Sequence, residues 1–196
     1  MNQRDLNRHP GTTGTVPHLE RQVDERIGNR VIMEMSAKVE VASPLNGDDW
    51  EWLRNLWLNE WSGETMVSKG KTHHFQDLDA VIAWVDGVRA GAATYNLGTD
   101  GCELMSINAT VRGLGVGSAL ISSVEQALQR AGIGRIWLIT SNDNLDALRF
   151  YQRRGYRISA VYPNAIDEAR KHKRTIPQVG YYKIPIHDEL ELEKLL

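Results

Sequence analysis

The pattern of apolar and polar positions predicts mainly strands in the first part of this chain, and it changes to a helical period at about residue 115. Residues 38–42 alternate as a strand does, and residues 80–95 predict two strands joined by Asp86-Gly87. Asp-Gly suits the positive φ angles of a two-residue type I′ turn, which makes this a strong hairpin signal. A further strand over 102–111 completes an antiparallel meander of three strands.

A helix is predicted between the first strand and this meander, over residues 48–61, with Asp48 as its N-cap. Its apolar face is formed by Trp50, Leu53, Trp57 and Trp61. We expect the tryptophans to pack the helix onto the sheet; the alternative is that one or two of them wall a substrate pocket. A polar loop is predicted to follow, up to residue 76.

The second half of the chain predicts alternating helices and strands. The elements are a helix over 115–130 ended by Gly132, a strand over 135–140, a helix over 145–154 capped by Asn144, and a strand over 156–162. A single helical crossover makes strands 102–111 and 135–140 parallel. The predicted fold class is therefore α+β, with a mixed, mostly antiparallel sheet whose central parallel strand pair is flanked by helices.

The two ends of the chain differ in character. Residues 1–36 are polar and interrupted by glycine and proline, which predicts a flexible N-terminal tail before a domain over 37–196. Residues 163–181 form a long connection, which we expect to act as a lid and to contain a short helix capped by Asn164. After it, Leu190 and Leu192 alternate with acids, which favours a final strand.

Composition narrows the class of protein. The chain has 196 residues, of which 41% are hydrophobic and 24% charged, and its net charge is -2. This balance disfavours a large nucleic-acid footprint. A single cysteine, Cys102, cannot form an internal disulfide, and we interpret it as structural rather than nucleophilic. With no long apolar run and no apolar leader at the start, we expect a cytoplasmic protein without a membrane partner.

The segment that carries candidate chemistry is Arg112–Ser118, Arg-Gly-Leu-Gly-Val-Gly-Ser, between a predicted strand and a predicted helix. Glycines let the backbone approach a ligand, and the first N–H groups of a helix bind anions. A P-loop would need a lysine after Gly117, and a dinucleotide-binding loop would place its third glycine one residue later. The remaining readings are another phosphate cradle or a simple tight turn.

At these residues the sequence resembles the GNAT N-acetyltransferases. Their Arg/Gln-x-x-Gly-x-Gly/Ala signature is matched by Arg112, Gly115 and Gly117. About thirty residues later the family carries a second motif, matched here by Asn144, Ala147, Phe150-Tyr151 and Gly155-Tyr156. The resemblance covers roughly residues 38–162, with the C-terminal strand expected to belong to it.

The resemblance implies an acetyl-CoA site in a gap between the fourth and fifth strands. The main chain near Asn108 and Ala109 would bond the pantetheine arm, Asn144 would make a further contact, and Tyr151 would protonate the departing thiolate. The pyrophosphate would be held by backbone N–H groups of Arg112, Gly113, Leu114, Gly115, Val116, Gly117 and Ser118. For Tyr151 the alternative is a core aromatic without a chemical role.

The resemblance also implies a base for the acceptor amine, and Glu103 is the candidate, directly or through water; the alternative is a solvent-facing strand residue. His73 and His74, in the predicted loop, are candidates for a base or for acceptor contacts, or have no function. The residues expected to line an acceptor site are Trp57, Trp61, His73, His74 and Tyr162. We expect no metal, since no cluster has metal-ligand spacing.

The activity implied is transfer of an acetyl group from acetyl-CoA to a primary amine, by direct attack in a ternary complex. A small-molecule amine is the first choice of acceptor, and a protein or peptide N-terminus is the second. A noncatalytic acyl-CoA-binding or regulatory domain is the alternative from another class. A homodimer is possible, since it is common among such folds.

Overall fold

One seven-stranded sheet organises the part of the chain that this computed structural model describes, residues 38–196. The predicted tail over 1–36 lies outside the described residues. In chain order the elements are β1 (Val39–Ala42), α1 (Gly47–Trp61), β2 (Thr65–Ser68), β3 (Lys71–His74), β4 (Asp79–Val85), β5 (Val88–Gly98), β6 (Gly101–Ala109), α2 (Val116–Arg130), β7 (Arg135–Ser141), α3 (Leu145–Gln152), β8 (Arg157–Tyr162), α4 (Ala165–His172) and β9 (Glu189–Leu195).

The strand order confirms the predicted fold class. In the sheet the order is β1-β4-β5-β6-β7-β9-β8, and β6 with β7 is the parallel pair among antiparallel neighbours. The predicted hairpin joins β4 and β5, with Asp86 at φ 51° and Gly87 at φ 77°, as a type I′ turn requires. The last segment is a strand, as its alternation predicted, and it pairs with both β7 and β8.

The predicted polar loop before the meander is wrong in one respect. Residues 65–74 form a second, two-stranded hairpin, β2 with β3. Its turn is Lys69-Gly70, with φ angles of 49° and 73° at the two residues. The strands have four residues each and few apolar side chains, so the hydrophobic pattern gives little sign of them.

Helix α1 packs on one face of the sheet, as predicted, but it is capped differently. Asn46, not Asp48, is the N-cap: its side chain accepts a hydrogen bond from the Asp49 backbone at 3.0 Å. Leu53 and Trp57 are fully buried on this face, while Trp50 remains 40% exposed. The core there contains Leu53, Trp57, Phe75, Leu78, Ala80, Ile82, Ala92 and Met105.

Helices α2 and α3 cover the opposite face. Leu120, Ile121 and Val124 of α2 are buried against the sheet, which is the apolar stripe that the helical period predicted. Gly132, at φ 73°, follows the end of α2 and allows the chain to reverse. The Asn144 side chain caps α3 by accepting a hydrogen bond from the Ala147 backbone at 3.2 Å.

The connection between β8 and β9 contains the predicted short helix, α4. Asn164 precedes it, but its side chain makes no capping hydrogen bond, which corrects the predicted cap. Asn164 is in the left-handed region at φ 61°, and its backbone N–H donates to Asp188 at 2.8 Å instead. Within residues 38–196, no helix is long and apolar enough to cross a membrane.

Candidate functional site

The parallel strands β6 and β7 separate along their length. Two residue pairs are in register, Cys102 with Ile136 and Glu103 with Trp137, both near the start of β6. From there to Ala109, β6 continues to pair with β5 on its other edge. Over these residues the β7-side edge of β6 therefore offers backbone groups to a ligand lying in the gap.

A β-bulge lies beside this gap. Thr94 of β5 pairs with Ser106, but the next residue, Tyr95, pairs with Leu104, so Met105 is an extra residue in β6. The bulge turns both Met105 and Ser106 toward α1, where Trp57 Nε1 donates to Ser106 Oγ at 3.2 Å. It therefore changes the direction of the β6 backbone next to the opening.

The glycine-rich segment lies at the open end of the gap and leads into α2. Gly113 and Gly115 have φ angles of 82° and 76°, a conformation that favours glycine. Gly115 is the N-cap of α2, no side chain caps the helix, and its first turn carries no acidic residue. The first N–H groups of this 15-residue helix therefore have no side-chain partner from the cap, and together with the helix dipole they favour an anion at this position. All seven residues predicted to hold pyrophosphate lie here.

Close packing holds this helix start in place. A Cβ at Gly91 of β5 would lie 2.8 Å from Val116 Cγ1, so glycine lets α2 approach the sheet. A Cβ at Gly117 would lie 3.3 Å from the Phe150 ring of α3. Arg154 stacks on that ring at 3.6 Å and donates a hydrogen bond to Ser118 Oγ. The motifs did not single out Arg154, which adds positive charge beside the α2 N-terminus.

The other predicted cofactor contacts are Asn108, Ala109 and Asn144, and they differ in which of their atoms remain free to bond a ligand. Asn108 uses its side chain toward α1, where Trp61 Nε1 donates to Asn108 Oδ1 at 3.3 Å. Its main chain and that of Ala109 stay at the edge of the gap. The Asn144 side-chain oxygen is engaged in capping α3, which leaves the amide nitrogen as its available donor.

Glu103 lies at the closed end of the gap, where β6 and β7 begin to separate. It is 6% exposed, so it is not the solvent-facing residue of the alternative interpretation. Ser68 Oγ donates a hydrogen bond to one carboxylate oxygen, Oε1. The other oxygen, Oε2, is 3.6 Å from His73 Nε2. The β2–β3 hairpin thus brings two of its side chains to the predicted base.

A cavity of about 260 Å³ adjoins Glu103. Its walls are the β2–β3 hairpin, the turn between β5 and β6, and Trp137 of β7. His73 lines this cavity and is 6% exposed, whereas His74 points to the outside of the hairpin. The structure therefore separates the two histidines. Trp57 is in the core and is not a wall of this cavity.

Beside the cavity lies a partly buried polar network that sequence reasoning missed. Lys69 Nζ donates to Glu191 at 2.9 Å, and Tyr162 donates to the same carboxylate oxygen at 2.6 Å. Burial opposes ionisation of Glu191, but these hydrogen bonds hold its pKa below the usual value. Burial raises the pKa of Glu189, whose bond from the Lys69 backbone only partly offsets it. The acids alternate with leucines in β9, a pattern that resembles an exposed face.

Tyr151 lies on the sheet face opposite Glu103. It is 6% exposed and packs against Phe150 and Tyr156, at ring-centroid distances of 5.1 and 5.5 Å. Burial raises its pKa, which keeps the phenol protonated at neutral pH. Cys102 belongs to the same cluster, and burial raises the pKa of its thiol to about 12. The structure therefore places the two predicted catalytic groups on opposite faces of the sheet, not in contact.

Comparison with known proteins identifies a family model and two bacterial relatives, each of which matches more than half of this chain. The model of the acetyltransferase (GNAT) family matches residues 48–156. The Bacillus subtilis (strain 168) protein YxbD is 39% identical over 137 residues, which cover 69% of this chain and 86% of that protein. YdhI of the same strain is 35% identical over 145 residues, covering 74% and 91%.

Solved structures of acetyltransferases also resemble this chain in fold. A GNAT family acetyltransferase from Elizabethkingia anophelis, with acetyl-CoA bound, superposes with a TM-score of 0.61 at 16% identity. The alignment covers 81% of this chain and 98% of that one. The likeness is one of fold.

Proposed function

The chain belongs to the GNAT acetyltransferase family, and we propose that it transfers the acetyl group of acetyl-CoA to a primary amine of a small molecule. The observation that carries this proposal is the position of Glu103. It stands where β6 and β7 separate and faces a cavity, so one carboxylate adjoins both the gap and a space for an acceptor.

The residues at the open end of the gap fit the donor molecule. The uncapped N-terminus of α2 and the two glycines at positive φ suit a pyrophosphate, with Arg112 and Arg154 adding positive charge. The main chain of Asn108 and Ala109 would bond the pantetheine arm, and the Asn144 amide would add a contact. When bound, acetyl-CoA supplies an acetyl thioester, whose carbonyl carbon is open to attack by nitrogen.

Glu103 and Tyr151 divide the proton transfers between the two faces of the sheet. Glu103 takes a proton from the acceptor ammonium, and the freed amine nitrogen forms a bond to the acetyl carbon and then loses its second proton. As the bond between that carbon and sulfur breaks, Tyr151 donates its proton to the sulfur. The phenol suits this step because its burial keeps it protonated until a thiolate forms.

A small acceptor is favoured over a polypeptide by the size of the cavity. Its volume of about 260 Å³ lies just below the range of about 300–1,000 Å³ for small-molecule pockets. The β2–β3 hairpin forms one wall, and Lys69 anchors the hairpin to Glu191 of β9. The buried carboxylate of Glu103, which lines the cavity, suits a cationic amine.

The test compares Glu103→Gln with Glu193→Gln, using acetyl-CoA and a panel of small amines and peptide N-termini. Glu193 also belongs to the sheet, but it pairs with Arg135 at 2.8 Å and is not a wall of the cavity. Release of free CoA thiol is expected to fall about a hundredfold or more in kcat/KM for Glu103→Gln and little for Glu193→Gln. Equal rates in both variants would remove Glu103 as base; CoA binding without transfer to any amine would indicate a binding domain.

A further inference from the structure

We propose that His73 is a second proton acceptor in acetyl transfer, paired with Glu103, and that it restores the Glu103 carboxylate within each turnover. This inference rests on the proposed function and extends it to a residue of the β2–β3 hairpin. It also gives that hairpin a chemical contribution in addition to enclosing the cavity.

The first support is the position of the His73 ring. Its Nε2 lies 3.6 Å from Glu103 Oε2, slightly too far for a direct hydrogen bond. Among the described residues, the ring has no hydrogen-bond partner, although 94% of the residue is inaccessible and none of the fully buried side-chain polar atoms lacks one. The ring nitrogens are therefore open to the cavity that His73 lines, and one acceptor molecule or one water could bond both residues.

The second support is the count of protons in the reaction. An ammonium group that becomes an amide loses two protons: one before its nitrogen attacks and one after the bond to the acetyl carbon has formed. Tyr151 gives one proton to the leaving sulfur and must recover one, so the net reaction releases one proton to solvent. Glu103 can hold one proton at a time. If it passes the first to His73, it can take the second; His73 then releases each proton in turn to solvent through the cavity, and Tyr151 recovers one proton from solvent, so that one is released overall.

The third support is the protonation state of His73. Burial lowers its pKa, with smaller lowering effects from Lys71 and His74, while the Glu103 carboxylate opposes them. The imidazole is therefore neutral near pH 7 and has a lone pair free to accept a proton. The charged and titratable groups around the pair are Lys69, Lys71 and His74 of the hairpin, Asp100 of the β5–β6 turn and Glu189 of β9.

The matched control is the neighbouring histidine. His74 belongs to the same strand and to the same type of residue, but its side chain is exposed and directed away from the cavity. Replacing either histidine with glutamine removes a titrating ring from β3 while retaining a polar side chain of moderate size. Thermal unfolding of both variants establishes that each is folded before its activity is compared.

A first experiment tests the pair without any acceptor. The imidazole signals of the full chain are titrated by NMR, with His73→Gln and His74→Gln used to assign them. We expect a His73 pKa below the usual 6.5 that falls further in Glu103→Gln, because the negative charge that raises it is gone. The His74 titration should move less. A His73 signal that titrates normally and does not respond to Glu103→Gln overturns the pairing.

A second experiment tests the contribution to turnover, with acetyl-CoA and the fastest amine of the panel. His73→Gln is expected to lower kcat roughly tenfold, less than Glu103→Gln does, and His74→Gln to leave it unchanged. The low-pH loss of activity in the wild type, which follows protonation of His73, should change shape in His73→Gln. Adding His73→Gln to Glu103→Gln should cost nothing further, because both act in one relay.

The outcomes separate the two proposals. If Glu103→Gln abolishes turnover while His73→Gln behaves as His74→Gln does, the relay is wrong and the proposed function stands. Additive losses in the double variant likewise overturn the relay. If the wild type acetylates no amine at all, the proposed function fails and the relay fails with it, whatever the NMR titration shows about the pair.

Discussion

At the scale of single residues, two neighbouring tyrosines have different expected contributions. Tyr156 donates a hydrogen bond to Glu125 at 2.9 Å, so its hydroxyl is committed to structure. Tyr151, in the same cluster, donates no hydrogen bond to another residue of the described range. Its hydroxyl is therefore the one left free for the proposed proton transfer.

This difference predicts opposite effects of two matched substitutions. Tyr151→Phe should lower kcat by about a hundredfold, because it removes the proton donor, and should leave the KM for acetyl-CoA near its wild-type value. Tyr156→Phe should keep kcat but lower the free energy of unfolding by about 1 kcal/mol, since it removes a buried hydrogen bond. Steady-state kinetics and denaturant unfolding measure both. Unchanged kcat in Tyr151→Phe would show that the residue is a core aromatic.

At the scale of elements, the start of α2 shows how local sequence makes a binding site. The helix begins at a glycine in the left-handed region, and a Cβ there would meet open space, so strain alone penalises a larger residue. The exposed N–H groups of the first turn are then directed at the loop that precedes them. No side chain need contact the ligand for an anion to bind.

Gly115→Ala tests this element. It should lower the free energy of unfolding by about 1 kcal/mol, the cost of a left-handed alanine, and weaken CoA binding about tenfold as the loop shifts. Gly134→Ala is the control, because its Cβ also meets open space but its φ is not positive. Calorimetric titration with CoA and denaturant unfolding give both quantities. Equal CoA affinity in the two variants would contradict a main-chain anion site at this helix.

The elements that sequence predicted well are those with a clear period and a clear end. Helix α2 has an apolar stripe and Gly132 after it, and β4 with β5 has an Asp-Gly turn, so each is specified locally. The hairpin with Lys69-Gly70 was missed because its short strands are stabilised by tertiary contacts, such as Lys69 with Glu191. Pairing partners far apart in sequence leave no local pattern.

At the scale of the whole molecule, the candidate site also divides into residues that a local motif identifies and residues that only the fold brings together. The residues near Arg112 and Tyr151 could be named from motifs, because each motif has a fixed spacing within one segment. His73 and Glu103 are thirty positions apart and meet only because the hairpin folds over the sheet. Motifs therefore identify candidate donor-site residues within one segment, whereas the surroundings of Glu103 follow only from the folded structure.

The gap between β6 and β7, which opens at the α2 N-terminus, is the acetyl-CoA site that we propose. Thermal unfolding with acetyl-CoA, desulfo-CoA, NAD and ATP in parallel tests it most directly. A ligand at a hundred times its Kd adds about 2.7 kcal/mol to stability, a rise of roughly 5–10 °C in Tm for a chain of this size. We expect that rise with the two CoA species alone. A rise in Tm with NAD or ATP instead, or no rise with any of the four ligands, would show that this gap is not an acetyl-CoA site.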